Sequence, residues 1–276
     1  MEKINVCCDS SCDLPQNYAS EKKIKIMYIP IIVEGEEYKN VDNQFLFDSV
    51  AKTGELPKTA APSTKDYENL FESYPKNENV IYFSLSSHMS LLNQNANEAA
   101  KSFKNVKVID SLNLSSGIAM QVMKCIEDIE SGLTYNEVLK NALTRQEKVK
   151  ASFVIDKLTY LYKGGRCSAL ALFGANLLKI KPEISVVNGK MGVSRKFRGK
   201  LDAVIKDYVE LSLKNVENAD KSNAFIDYTA IDDETIEYVK QQCLNAGFKN
   251  VYACIASSTI AVHCGEGTLG IMYMEK

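Results

Sequence analysis

No tryptophan occurs in this 276-residue chain, which also holds only six prolines and two histidines. That leaves little room for an imidazole-based metal centre. His88 and His263 lie far apart, and neither keeps zinc-ligand spacing with the grouped Cys7, Cys8 and Cys12. Charge of either sign is not in excess: 33 Lys and Arg against 35 Asp and Glu leave a net charge of -2. A polyanion-binding surface, and with it nucleic acid as a partner, is therefore not expected. No apolar run approaches the ~20 residues of a membrane span, so integral membrane association is not expected either. A strand-like Ile4-Asn5-Val6-Cys7-Cys8 follows the first residues so closely that no signal peptide fits, and the expected location is the cytoplasm. Repeats, low-complexity segments and linkers rich in Pro or Gly are missing as well.

What the chain does have is a 45% hydrophobic content, enough for two packed α/β domains. Its eight cysteines are spread through a length that needs no disulfide framework, and several stand in apolar runs, which predicts reduced thiols. Up to about residue 150, apolar runs of strand length (Ile4 to Cys8, Ile24 to Val33, Val80 to Leu85, Val106 to Ile109) alternate with segments of helical period. That alternation predicts a largely parallel sheet flanked by helices. Asp13 with Gln16 reads as a capping box, and Pro15 suits a first turn, so a helix is expected just after Asp9-Ser10-Ser11. A helical pattern from Tyr135 to Lys150 ends at Ala151, where the texture changes. Asn188-Gly189 between Ile184–Val187 and Lys190–Ser194 predicts a type I′ hairpin, hence antiparallel pairing. Helical stretches at Leu201–Val216 and Glu234–Ala246 separate strand-like Ala224–Tyr228 and Val251–Ile255. The expected organisation is a first α/β domain over residues 1–150 and a mixed or antiparallel α/β domain over 151–276, with the site between them.

Six segments invite a chemical reading. In Ile81-Tyr82-Phe83-Ser84-Leu85-Ser86-Ser87-His88-Met89-Ser90, an apolar strand runs into clustered hydroxyls ahead of a helix. Unpaired N–H groups at a helix start, together with the Ser90 hydroxyl, suit a carboxylate or phosphate; equally, Ser90 could only cap its own helix. Thr59 lies between Pro57 and Pro62 beside the small Ala60 and Ala61, which fits a ligand contact or a braced turn. Gly164-Gly165 before Arg166 permits a fold that presents a planar, charged fork to an anion, or else a helix cap followed by a solvated arginine. His263, after Ile260-Ala261-Val262 and before Gly265 and Gly267, could point inward from a compact turn or simply pack. Arg195-Lys196-Phe197-Arg198 is a short basic run of the kind that is usually solvated surface. Asp9 directly after a first strand invites a phosphoryl-acceptor reading, but position 11 is Ser11 where a second aspartate is wanted, so a structural role fits better.

Together with Cys8-Asp9-Ser10-Ser11-Cys12-Asp13-Leu14-Pro15, these segments resemble the DegV family, whose members bind fatty acids, and the resemblance spans nearly the whole chain. The family's Thr-Ser-Gln-Pro-Ser loop is matched at Thr59, Pro62 and Ser63, with Ala60 and Ala61 replacing its centre. Its Ser-Ser-x-Leu-Ser-Gly-Thr signature is matched at Ser86, Ser87 and Ser90, with Met89 for leucine and Leu91-Leu92 for Gly-Thr. The Leu-x-Tyr-Leu-x-Lys-Gly-Gly-Arg string is complete from Leu158 to Arg166. The His-x-Gly-Pro-Gly segment carries Glu266 in place of proline.

The resemblance implies that Thr59 and Ser90 hold a fatty-acid carboxylate, with Arg166 and His263 nearby, and that Arg198 docks a kinase subunit. It further implies a non-catalytic carrier of one long-chain fatty acid, presented to a separate ATP-dependent kinase that makes acyl phosphate for phospholipid synthesis. No cofactor or metal is implied. Two other readings stay open. One is a hydrolase with Ser90 as nucleophile and His263 as base, although no Gly-x-Ser-x-Gly elbow occurs and no orienting carboxylate is evident. The other is a regulatory protein whose lipid is structural.

Overall fold

Val80, Ile81, Tyr82 and Phe83 are all buried, a continuous apolar run of the kind a parallel strand needs when both its faces are covered. The structure, a computed structural model, describes residues 2–167 and 180–276. The first half runs β1 (Ile4–Asp9), α1 (Tyr18–Glu21), β2 (Lys25–Met27), β3 (Ile31–Val33), β4 (Glu36–Tyr38), α2 (Asn43–Thr53) and β5 (Lys58–Thr59). It continues through α3 (Thr64–Glu72), β6 (Asn79–Ser84), α4 (Leu92–Ala100), β7 (Val106–Asp110), α5 (Ser116–Glu130) and α6 (Tyr135–Arg145). Strands β2-β1-β6-β7 form a wholly parallel sheet. On one face Val80 and Tyr82 pack with Tyr67 and Phe71 of α3 and Ala96 and Ala99 of α4. On the other, Ile81 and Phe83 join Ile118 and Val122 of α5.

The second half runs β8 (Val149–Ile155), α7 (Thr159–Gly164), β9 (Lys181–Val187), β10 (Lys190–Phe197) and α8 (Leu201–Leu213). It ends with β11 (Ala219–Thr229), α9 (Asp233–Asn245), β12 (Asn250–Ile255), α10 (Ser258–Cys264) and β13 (Thr268–Glu275). Its sheet has the order β10-β9-β8-β13-β11-β12, antiparallel except for the parallel β11–β12 pair. The expected two-domain α/β fold, one parallel sheet and one mixed, is what the chain adopts. Asn188 and Gly189 take φ of 49° and 76°, the paired positive angles of the predicted hairpin turn.

Several local expectations are corrected. No capping box forms at Asp13. Helix α1 starts only at Tyr18, after Asn17 in the left-handed region, and lasts four residues. The Asp13 carboxylate instead accepts hydrogen bonds from Ser115 and from the Ser257 N–H, partners remote in sequence. The run Ile24–Val33 is two strands, not one: between them stands Pro30, which lacks a donor, and β2 and β3 enter different sheets. The helical pattern from Tyr135 stops at Arg145, and β8 begins at Val149, where buried Val149, Ala151 and Phe153 alternate with exposed Lys150 and half-buried Ser152.

A third small sheet, β4-β3-β5, is antiparallel. Its Ile31 and Val33 pack with Leu46 and Phe47 of α2 and with Ala261 and Val262 of α10. Residues from the first half are thereby fixed against a helix of the second. The main core is likewise shared, since Ile81, Phe83 and Ile118 belong to the same buried cluster as Phe153, Ile184, Phe225 and Met272. All eight cysteines are buried, and none is in a disulfide.

Candidate functional site

Thr59 belongs to a two-residue strand rather than a loop. Pairing with Ile31 hangs it from the small sheet, beside α10. His263 belongs to α10 itself and not to the turn that follows; Gly265 and Gly267, with φ of 73° and 70°, form that turn. The Thr59 hydroxyl and the His263 Nε2 are 2.9 Å apart, a hydrogen bond across 204 positions of sequence. The other face of the imidazole edge meets α7. A Cβ on Gly164 would stand 3.0 Å from His263 Nδ1, and one on Gly265 would stand 2.5 Å from the Tyr160 ring. α7 and the end of α10 thus interlock, His263 seated on Gly164 and Tyr160 on the Gly265 turn. Gly165, with φ of 71°, rather than Gly164, caps α7.

Burial, and secondarily the positive charge of Arg166, lower the His263 pKa from 6.5 to about 4, so the imidazole is neutral at pH 7. Its Nδ1 is buried and finds no hydrogen-bond partner among the described residues. Arg166 is exposed and donates to the Gly164 carbonyl at 2.5 Å. Ser90 makes no capping bond to α4, whose first turn begins at Leu92 without a side-chain cap. It lines a small, mostly apolar pocket instead.

That cavity, of about 50 Å³, brings together Thr59, Ser90, Arg166 and His263 from four separate segments. Its remaining wall is mostly apolar, including Leu85, Leu114 and Leu161, with Met89 and Met191 approaching from the two halves. Thr59, Ser90, Arg166, Met89 and Met191 also border an open groove of about 780 Å³, where Ala60, Ala61, Leu91 and Lys190 join them. Leu91, where the sequence pattern has glycine, is 60% exposed on the groove side. Glu266 is paired with Lys157, which neutralises the charge that replaces proline near the site. Arg198 is exposed between β10 and α8 and borders neither the cavity nor the groove.

One polar wall residue escaped the sequence reading. Thr259 lies one helical turn before His263 on the same face of α10, an i, i+4 spacing that could have found it. Ser10 fixes it by a 3.0 Å hydroxyl contact and also accepts from the Ile29 N–H at 3.0 Å. Ser11, just beyond the carboxyl end of β1 where ligands of such sheets gather, lines the same cavity.

Chemically, the arrangement offers two hydroxyls and a guanidinium at the mouth of an apolar interior. It suits an anion with a hydrocarbon tail. The hydrolase arrangement is not assembled: His263 Nε2 bonds Thr59, and among the described residues no carboxylate engages its Nδ1. Asp9 is structural. Buried and pushed up in pKa by burial, its carboxylate accepts from the N–H groups of Ser11 at 2.9 Å and Leu85 at 2.8 Å, tying β1 to the end of β6. A separate cleft of about 340 Å³ near the β9–β10 turn contains none of the candidate residues, and its buried Glu183 is paired with Arg195 at 3.1 Å.

Comparison with known proteins places this geometry in context. The family model described as "Uncharacterised protein, DegV family" matches residues 3–276. A DegV domain-containing protein of Clostridium acetobutylicum is 29% identical over 282 residues, covering 100% of both chains. Among solved structures, a DegV family protein from Thermus thermophilus, described by its fatty acid binding, superposes with a TM-score of 0.91 at 23% identity, over 99% of this chain and 100% of that one. DegV of Bacillus subtilis, described as a fatty acid binding protein, gives 0.85 at 25% identity with both chains 100% covered. The fatty acid kinase B3 protein of Streptococcus pneumoniae, loaded with linoleic acid, gives 0.85 at 21% identity over 99% and 100%.

Proposed function

The chain belongs to the DegV family, and from that premise we propose that it carries one long-chain fatty acid, its carboxylate held by Thr59, Ser90 and the first N–H groups of α4. Arg166 and His263 complete the rim, and the tail lies in the apolar interior between a domain of residues 1–150 and one of 151–276. The observation that carries this reading is the convergence of Thr59, Ser90, Arg166 and His263 on one apolar-walled cavity. Burying about fifteen methylenes at ~0.8 kcal/mol each sets an upper bound near ~12 kcal/mol, so the tail dominates affinity and the polar groups orient it. A cavity of about 50 Å³ is smaller than the ~150 Å³ that accepts benzene, so a tail must displace wall side chains. Met89 and Met191, unbranched and polarizable, are suited to that movement.

In this reading the protein catalyses nothing itself and acts in the cytoplasm without cofactor or metal. It presents the carboxylate to a separate ATP-dependent kinase for acyl-phosphate formation, with exposed Arg198 on the docking surface. Native mass spectrometry of freshly purified protein tests it. A mass increment matching a fatty acid is expected; protein that arrives empty, binds neither added oleate nor palmitate, and hydrolyses acyl esters would replace the carrier with an enzyme.

A further inference from the structure

Away from the cavity, two buried carboxyl groups from opposite halves of the chain meet on one serine. Asp13 follows β1, Asp227 belongs to β11, and the Ser115 hydroxyl contacts Oδ2 of each, at 2.8 Å for Asp227. Ser116, the first residue of α5, repeats the pattern: its hydroxyl contacts Asp227 Oδ1 and also the Asp13 carbonyl at 2.9 Å. Backbone donors complete the cluster, from Ser116 N–H to Asp227 at 3.1 Å and from Ser257 N–H to Asp13 at 2.9 Å. Ser115 holds φ of 53°, a left-handed conformation that a non-glycine residue adopts only when its surroundings impose it.

Counting hydrogens favours one retained proton. Four oxygen–oxygen contacts surround the two serine hydroxyls, and each hydroxyl brings one proton. If both aspartates are ionised, two of the four contacts set lone pair against lone pair. A carboxyl proton turns one of these into a hydrogen bond. The start of α5 offers one partly positive helix end to two carboxyls, which favours a single negative charge there.

We propose that Asp13, Ser115 and Asp227 form a proton-operated clasp between the two halves, closed while the pair keeps a proton and weakened when that proton leaves to solvent. The inference goes beyond fatty-acid carriage and does not depend on it. Among the described residues, none supplies the pair with a compensating positive charge. Cys12 from the same loop, Cys254 of β12 and Cys264 of α10 face the pair, and Asp9 stands beyond Cys12; burial pushes all three thiols up, so they stay neutral. Burial, and for Asp13 also repulsion by Asp227, push the pair well above the ordinary aspartate range, so a proton is held toward neutral pH. The clasp also reaches the candidate site, because Ser257, bonded to Asp13, is the residue from which α10 starts toward Thr259 and His263.

The pair is raised in the folded state, so the stabilisation is complete below the ordinary aspartate range and is lost as pH rises toward and through neutrality. Thermal unfolding of the full chain at pH 6 and pH 8 tests this against Asp227→Asn, whose amide keeps a donor at every pH. His263 acts in the opposite direction over part of this range, but both proteins contain it, so the difference between them isolates the clasp. Relative to the variant, the wild type should lose roughly 3–6 °C of midpoint between the two pH values. Equal pH dependence of the two proteins overturns the proposal. Should Asp227→Asn not fold, carboxyl-carbon NMR titration of the wild type decides: one step near neutral pH supports the clasp, and both carboxyls ionised below pH 5 refute it.

Discussion

The Ser86 hydroxyl, fully buried at the end of the first sheet, donates to the Gly189 carbonyl at 2.7 Å, locking the turn of the β9–β10 hairpin onto the loop that leads to Ser90. The fit tolerates no side chain. A Cβ on Gly189 would lie 2.7 Å from Ser86 Oγ and 2.8 Å from His88 Cδ2, at a φ of 76°. Gly189→Ala should therefore destabilise the protein by about 1–3 kcal/mol through overpacking and backbone strain. Asn188→Gly, which keeps the turn conformation, should change stability far less. Denaturant unfolding compares them; equal stability of Gly189→Ala and wild type would mean that the hairpin is not held there.

For the head group, Thr59→Ala and Ser90→Ala should each weaken fatty-acid binding by roughly 0.5–3 kcal/mol, the range for a hydrogen bond to a charged partner. Both variants should fold, since Ser90 caps no helix and Thr59 is half-buried. Calorimetric titration of the double mutant is the check, and unchanged affinity would remove the head-group assignment even if lipid still bound.

A pH effect follows from His263. Its folded pKa, about 4, lies below the ordinary 6.5, so the unfolded chain takes up the proton first. The stability tied to the neutral imidazole is present above pH 6.5 and lost as pH falls toward 4, by at most ~3.4 kcal/mol. His263→Gln should flatten that acid-side loss in denaturant unfolding between pH 6.5 and 4. An unaltered pH dependence would show the imidazole to be solvated.

The two arginines should separate. Arg198→Ala is expected to leave lipid occupancy intact while slowing acyl-phosphate formation by a cognate kinase, with the defect shrinking at saturating kinase, because an exposed charge mainly steers encounter. Arg166→Ala, at the cavity, should disturb binding or phosphorylation at every kinase concentration. An Arg198 variant that loses its lipid, or works as well as wild type, would relocate the docking surface.

Features governed by local chemistry were legible in the sequence. The Asn188-Gly189 hairpin, the buried run of β6 and the strand–helix alternation of the first half follow from turn chemistry and apolar periodicity. The residues now gathered at the cavity were found by motif, but their mutual geometry was not, because Thr59 and His263 meet only through the packing of Ile31 on α10. Strands as short as β3, β4 and β5 carry too few residues to show a period. Asp13 misled the reading because a local capping pattern competes with partners 102 and 244 positions away, and the distant partners prevail.

The shared core has a bearing on how the molecule can be taken apart. Phe83 and Ile118 lie in one apolar cluster with Phe153 and Met272, so the boundary between the sheets is drawn by hydrogen-bonding pattern and not by a gap in packing. A fragment ending near residue 150 would carry half of an interior with nothing to cover it, and the complementary fragment the other half. Expressed alone, each is expected to aggregate; mixed, they should recover solubility only by folding together. The two domains share one interior, so the chain is expected to fold as a single cooperative unit.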